Sequence, residues 1–213
     1  MLYWNTINDP LKNSLILLMK AEVFKPFRLV GGTSLSLQLG HRMSVDLDLF
    51  TDAPYRSIDF NAIDNFLKSN YAYVDALFDS PIAFGRSYMV GSDRYNSIKL
   101  DVFYTDEFIQ KPLTIENVRM ATVEEILAMK IDVVQRGGRK KDFWDIHELI
   151  DKYTIDQMLA LHEQRYSYNH NRNLILKNMK DFEVADLDFD PICLKAKHWE
   201  LIKLDILEEI EKY

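Results

Sequence analysis

The stretch that most constrains this chain is GGTSLSLQLGHRMSVDLDLF, Gly31 to Phe50. It closes in a strict alternation. Val45, Leu47 and Leu49 take one side of a strand, and Asp46 and Asp48 take the other. Two carboxylates on one strand face, their Cα atoms roughly 6–7 Å apart, repel each other and are unsuited to a hydrophobic layer. The sheet holding this strand therefore needs one face covered by apolar chain and one face open to something positive. A glycine pair, Gly31 and Gly32, precedes a short helical run that Gly40 is placed to stop. The unit reads as strand, turn, helix, acidic strand.

Around this unit the first half is mixed. DPLKNSLILLMKAEVF predicts a helix with Asp9 as its cap and Pro10 in its first turn. FRLVGG is a short buried strand, and SIDFNAIDNFLKSN is a helix. YAYVDALF, AFGRSYMV and SIKLDVFY are strands, and NVRMA is the last one. Beyond it the pattern is helical. Thr122 and Glu125 carry a capping-box signature ahead of TVEEILAMKIDVVQR. KDFWDIHELIDKY, TIDQMLALHEQRY, NRNLILKNMKDF and HWELIKLDILEEIEKY follow. The expectation is an α+β chain, with a mixed domain over residues 1–117 and a mainly helical domain over 118–213 that closes a cleft. A chain of 213 residues can bury its core without covalent staples. One cysteine, Cys193, rules out an internal disulfide and fits a reducing compartment. MLYWNTINDP has no basic-then-apolar leader pattern, and no apolar run reaches membrane-spanning length. A soluble, cytoplasmic protein is expected. The net charge of -7 argues against a chain-wide nucleic-acid footprint. The run RGGRKK, Arg136 to Lys141, is either a solvated loop between helices or a loop facing phosphate.

A third acid joins the first two. In SIKLDVF, Ile98, Leu100 and Val102 face one side, and Lys99, Asp101 and Phe103 the other. If this strand neighbours the first, Asp46, Asp48 and Asp101 share one sheet face. Three carboxylates without a cation raise one another's pKa. Oxygen ligands suit Mg²⁺, and paired ions sit about 3.5–4 Å apart in two-metal sites. The plain alternative is acidic decoration of a solvent-facing strand. A second D-x-D, in DLDFDP from Asp186 to Pro191, lacks a glycine turn and is read as a loop outside the site. Gly31, Gly32, Thr33 and Ser34 open a helix, where backbone N–H groups and hydroxyls suit phosphate. The pattern is neither a P-loop nor G-x-G-x-x-G. A phosphate cradle beside a metal site points to a nucleoside triphosphate with Mg²⁺. Lys130 lies in the apolar stripe of its helix with Ile126, Leu127 and Val134. It either snorkels to a rim or reaches phosphate in a wet cleft, and Lys130→Met should then spare the fold. Asp142 is placed to cap the following helix, with Asp145 in its first turn. His147 is read as structural. No zinc spacing and no nucleophile motif is present.

The segments LVGGTSLSLQLGHRMSVDLDLF, IKLDVF and EEILAMKIDVVQRGGRKKDFWDIHEL resemble, in order, the AbiEii/AbiGii-type abortive-infection toxin branch of the polymerase-β-like nucleotidyltransferases. They cover most of residues 29–150. The resemblance implies a mixed-sheet core of that kind followed by a C-terminal helical bundle. It implies that Asp46, Asp48 and Asp101 bind two Mg²⁺ ions, with Asp101 helping to activate the attacking hydroxyl. Gly31, Gly32, Thr33, Ser34, Arg42 and Lys130 would hold the nucleotide. Lys130 and Asp142 match the family's third and fourth motifs and complete the catalytic set. The implied reaction moves an NMP from an NTP to an acceptor hydroxyl on a tRNA 3′ end or a protein. The implied setting is a toxin with a cognate antitoxin. The turn reads Gly-Gly-Thr where the wider superfamily has Gly-Ser. Two other readings are a non-catalytic NTP- or partner-binding module and a D-x-D glycosyltransferase. The glycine turn and Lys130 argue against the last.

Overall fold

The computed structural model describes residues 1–76 and 84–213. The ends of two expected strands, at 77–78 and at 83, lie outside them. Among the described residues, seven strands build one mixed sheet: β1 (Arg28–Val30), β2 (Asp46–Thr51), β3 (Tyr73–Ala76), β4 (Gly85–Gly91), β5 (Ser97–Tyr104), β6 (Leu113–Ile115) and β7 (Val118–Met120). Their order is β3-β4-β5-β2-β1-β7-β6. At the centre, β2 runs antiparallel to β1 and parallel to β5. Strand β6 is absent from the sequence expectation. It forms a hairpin with β7 through Glu116 and Asn117, both at positive φ, as a tight two-residue connection requires. The expected division between 117 and 118 falls inside this hairpin, and the sheet runs on to Met120 before the helices begin.

Helix α1 (Asp9–Lys20) is capped by Asn8, whose side chain accepts from the Leu11 N–H, with Pro10 in the first turn. The cap therefore sits one residue before the expected Asp9. Helices α2 (Gly31–Leu39) and α3 (Phe60–Asn70) complete the first half. Leu11, Leu15 and Leu18 of α1 and Ile63 and Leu67 of α3 share one hydrophobic core with Leu47, Leu49, Leu100 and Val102 of the sheet. That covers one sheet face. Burial along β2 and β5 alternates, so Asp46, Asp48, Lys99 and Asp101 occupy the other. Val45, expected inside with Leu47, precedes the strand and is 64% exposed.

The second half holds α4 (Val123–Gln135), α5 (Lys140–His147), α6 (Ile155–Arg165), α7 (Arg172–Asn178), the unforeseen short α8 (Glu183–Asp186) and α9 (Trp199–Lys212). They build a second core around Ile126, Ile131, Trp144 and Ile202, and α2 contributes Leu35 to it. Among the described residues no helix is long and apolar enough to cross a membrane.

One buried ion pair lies within the helical half and reaches the sheet half through its arginine. Thr122 caps α4 as expected, but the Glu125 carboxylate does not return to the cap. It pairs instead with Arg165 of α6, both side chains being fully buried. Arg165 also donates to Thr105 Oγ1 at 3.0 Å and lies over the Phe108 ring, whose centroid is 3.7 Å from the Arg28 guanidinium carbon. Removing one partner of such a pair leaves a buried charge alone. Arg165→Met should destabilise the protein by about 3–5 kcal/mol in urea melts. Glu125→Leu combined with Arg165→Met should recover part of that loss. A double variant no more stable than the single one would mean that Arg165 acts through its packing and not its charge.

Candidate active site

Asp46 and Asp48, on the acidic face of the sheet, line the floor of a cavity of about 330 Å³, and Asp101 stands beside Asp48 outside that lining. The register is decisive. In the parallel β2–β5 pair, Asp46 stands opposite Lys99 and Asp48 opposite Asp101. Three acids and one lysine thus form a two-by-two array. The Lys99 ammonium donates to Asp101 Oδ2 at 2.5 Å, while Asp101 Oδ1 is buried without a partner. Burial, then the neighbouring Asp101 and Asp46, push the Asp48 carboxyl up to about 6. As the side chains stand, no three His, Cys, Asp or Glu among the described residues converge on one ion position.

The glycine pair has a direct reason. Gly31 has φ +68°, and a Cβ there would strike the Asp48 carboxylate. A Cβ on Gly32 would strike the Arg42 guanidinium. The pair lets an acid and a cation close on the first turn of α2. Both glycines line the cavity. The two hydroxyls expected beside them do not. Thr33 is buried, bound to Ser44 Oγ at 2.8 Å and to the Asp46 carbonyl. Ser34 is buried and accepts from Gln38 Nε2 at 3.1 Å.

The wall opposite is built on Asp145, which is fully buried. Arg42 grips it with two donors, Nε at 2.6 Å and Nη2 at 2.8 Å. His41 Nε2 lies 2.8 Å from Oδ1, and Lys130 Nζ 2.7 Å from Oδ2. Burial opposes ionisation, but Lys130, Arg42 and His41 outweigh it and hold Asp145 well below the usual carboxylate range. Lys130 lines the cavity, as a wet-cleft lysine would, yet it is only 7% exposed and pairs with Asp142 at 2.6 Å as well as with Asp145. Burial works against its charge, and Asp145 and Asp142 more than offset that, so its pKa lies above the ordinary lysine value. An ammonium has three donors, so one remains for a ligand. Asp142 is not the N-cap. Arg139 holds that position, and Asp142, three residues on, accepts its N–H at 3.1 Å.

Asp145, which the sequence reading placed only in the first turn of its helix, and Lys141, the last cation of the RGGRKK run, also belong to this site. A signal for the first existed: Asp142 and Asp145 are three apart on a helix and share a face. The second D-x-D bears on the same wall from behind. Asp188 accepts the Lys140 N–H at 3.1 Å, and Asp190 pairs with Lys140 Nζ at 2.9 Å.

Comparison with known proteins bears on the family and the fold. A family model described as nucleotidyl transferase AbiEii toxin, type IV TA system, matches residues 16–212. The protein aq_aa25 of Aquifex aeolicus is 26% identical over 199 residues, covering 88% of this chain and 87% of that protein. A candidate nucleotidyltransferase of Helicobacter pylori superposes with a TM-score of 0.60 at 20% identity, covering 96% of this chain and 94% of the other. MenT4, a nucleotidyltransferase toxin of Mycobacterium tuberculosis, gives 0.54 at 15% identity, covering 92% and 84%. At these identities the structural likenesses establish the fold.

Two outcomes follow from the charges. Asp48 titrates near 6 in the folded protein and near 3.9 in the unfolded chain. The folded state therefore holds this proton more tightly, and Asp48 takes stability away as pH rises from about 4 through 6. In chelator-containing buffer, Asp48→Asn should melt above wild type at pH 7.5, with the gap closing toward pH 4. A lower melting temperature at pH 7.5 would make the carboxylate a structural one. Lys130→Met, expected from sequence to spare the fold, strands Asp142 and part of the Asp145 charge. It should cost about 3–5 kcal/mol in denaturant titrations.

Proposed function

Since the chain belongs to the AbiEii nucleotidyl transferase toxin family, we propose that it moves a nucleoside monophosphate from a Mg²⁺-bound NTP to an acceptor hydroxyl. The observation that carries this reading is the β2–β5 register, which sets Asp101 beside Asp48 while Asp46 and Asp48 line the floor of a cavity with cationic walls. A cavity of this size class accommodates a small-molecule ligand.

The residues fit a hard divalent cation. The donors are all carboxylate oxygens, one Asp101 oxygen is buried without a partner, and burial with the neighbouring Asp101 and Asp46 raises the Asp48 carboxyl. Asp46, Asp48 and Asp101 would hold Mg²⁺, which supplies charge neutralisation for the phosphates and a lowered pKa for the attacking hydroxyl. The chain's own part is positioning. The N–H groups at the start of α2 are the natural seat for phosphate oxygens, because both glycines of that turn line the cavity and Arg42 lies against Gly32. Asp145 fixes Arg42 and Lys130 against the opposite wall, so their field is in place before the substrate arrives. Lys130 has one donor to offer the nucleotide, and Asp142 keeps it aimed. The acceptor hydroxyl gives its proton to a carboxylate of the Asp101 group or to solvent as its oxygen attacks the α-phosphorus, the bond from that phosphorus to the bridging oxygen breaks, and pyrophosphate leaves. No protein nucleophile is required.

Arg136 and Arg139 line the cavity with mostly exposed side chains, which suits a polyanionic acceptor such as a tRNA 3′ end better than a neutral protein hydroxyl. In this reading the protein is the toxin of a toxin–antitoxin pair, acting in the cytoplasm in phage defence and held in check by a cognate antitoxin. The test is incorporation of α-labelled NTPs into purified tRNA, total RNA or protein, with Mg²⁺ or with chelator. Label should enter RNA only with Mg²⁺, and Asp48→Asn and Asp101→Asn should reduce it to background. Wild-type protein that binds NTP but labels no acceptor would leave a non-catalytic binding module as the correct reading.

A further inference from the structure

We propose that Lys141 is the cation that takes the phosphate tail of the nucleotide, an assignment that rests on the nucleotidyl-transfer reading of this cavity. Five cations line the cavity, and four are engaged. Arg42 has two donors on Asp145, and Lys130 sits between Asp142 and Asp145. Arg136 pairs with Asp132, and Arg139 lies 3.8 Å from Asp142 with its side chain 60% exposed. Lys141 lines the same cavity and, among the described residues, its side chain makes neither an ion pair nor a hydrogen bond.

Its surroundings make that isolation costly. Lys141 is half-buried. Burial, and then Arg139 and Lys130, depress its ammonium below the ordinary lysine value. A half-desolvated charge facing like charges is unfavourable unless an anion joins it. The acids of the floor do not fill that role. Asp46 and Asp48 feel Lys141 through space, yet neither is within ion-pair distance. The lysine therefore faces the floor across a gap, and that gap is where metal-bound phosphates would lie.

The backbone under Lys141 is fixed. It is the second residue of α5, whose first turn is pinned from behind by Asp188 and Asp190 through Lys140 and from within by Asp142. Gly137, at φ +88°, turns the chain out of α4 just before it. Lys140 and Lys141 are neighbours in a basic run, but one is anchored to the C-terminal half and the other is left to the cavity. Lys141 has all three ammonium donors free, where Lys130 has one.

The experiment is a set of titrations by calorimetry with Mg²⁺ present, using an NTP, the matching nucleoside and inorganic tripolyphosphate as probes. Wild type is compared with Lys141→Met, Lys141→Arg and the distant exposed Lys25→Met. Lys141→Met should melt within a few degrees of wild type. It should weaken NTP and tripolyphosphate binding by the same factor, about 10–100-fold, and leave nucleoside binding unchanged. Lys141→Arg should retain most of the affinity, and Lys25→Met should match wild type. Unchanged NTP and tripolyphosphate affinity in Lys141→Met, in a protein whose wild type transfers nucleotide, would overturn the assignment and leave the transfer reading standing. Tripolyphosphate binding that depends on Lys141, in a protein that transfers nothing, would overturn the transfer reading and support the cation site. Wild type that binds none of the phosphate probes would overturn both.

Discussion

Everything around the cavity depends on one carboxylate with no access to water. Asp145 is contacted by His41, Arg42 and Lys130, which arrive from the turn after α2 and from α4, while Asp145 itself belongs to α5. A buried charge is tolerated only when it is matched. Here the match crosses from the sheet half to the helical half, so pairing these charges also fixes the halves' relative position. Arg42 in turn lies against Gly32, which ties the wall to the first turn of α2. Moving any one of these groups leaves several others uncompensated.

The floor follows the opposite logic. Asp46, Asp48 and Asp101 crowd together with only Lys99 among them, and burial, reinforced by Asp101 and Asp46, makes Asp48 resist ionisation. The Asp145 network is matched internally and the floor is not. That asymmetry separates scaffold from site. Groups whose charge is satisfied by the protein hold position, while groups whose charge is unsatisfied await a ligand. The same test divides the basic run, where Lys140 belongs to the scaffold and Lys141 to the site.

The acid face was legible in the sequence because strand parity is a local rule. Alternation in SVDLDLF and SIKLDVF puts Asp46, Asp48 and Asp101 opposite Leu47, Leu49, Leu100 and Val102, and the fold keeps that division. What the sequence could not supply was partners. Lys130 is visibly a lysine in a core stripe, but Asp142 and Asp145 reach it only after Gly137 reverses the chain. Asp145 itself was masked by a good local explanation, since an acid in the first turn of a helix needs no other. Thr33 and Ser34 looked like phosphate donors because they follow glycines, and tertiary contacts with Ser44 and Gln38 claim both hydroxyls. Val45 failed for a smaller reason: the alternation starts one residue before the strand does.

The final sixty residues carry little motif information, yet the structure gives part of them a definite place. The segment after α8 touches both sides of the Asp145 network. Ile192 accepts the Met43 N–H at 2.9 Å, and Leu194 donates to the His41 carbonyl at 2.9 Å, so the chain forms a short antiparallel bridge beside Arg42. A few residues earlier, Asp188 and Asp190 hold Lys140 at the start of α5. One stretch of backbone thus braces the segment that supplies His41 and Arg42 and the helix that supplies Asp142 and Asp145. Sequence motifs record residues whose side chains do chemistry. A brace made mainly of main-chain hydrogen bonds and two surface acids leaves no such pattern, and here it bears on the geometry of the site as directly as the motifs do.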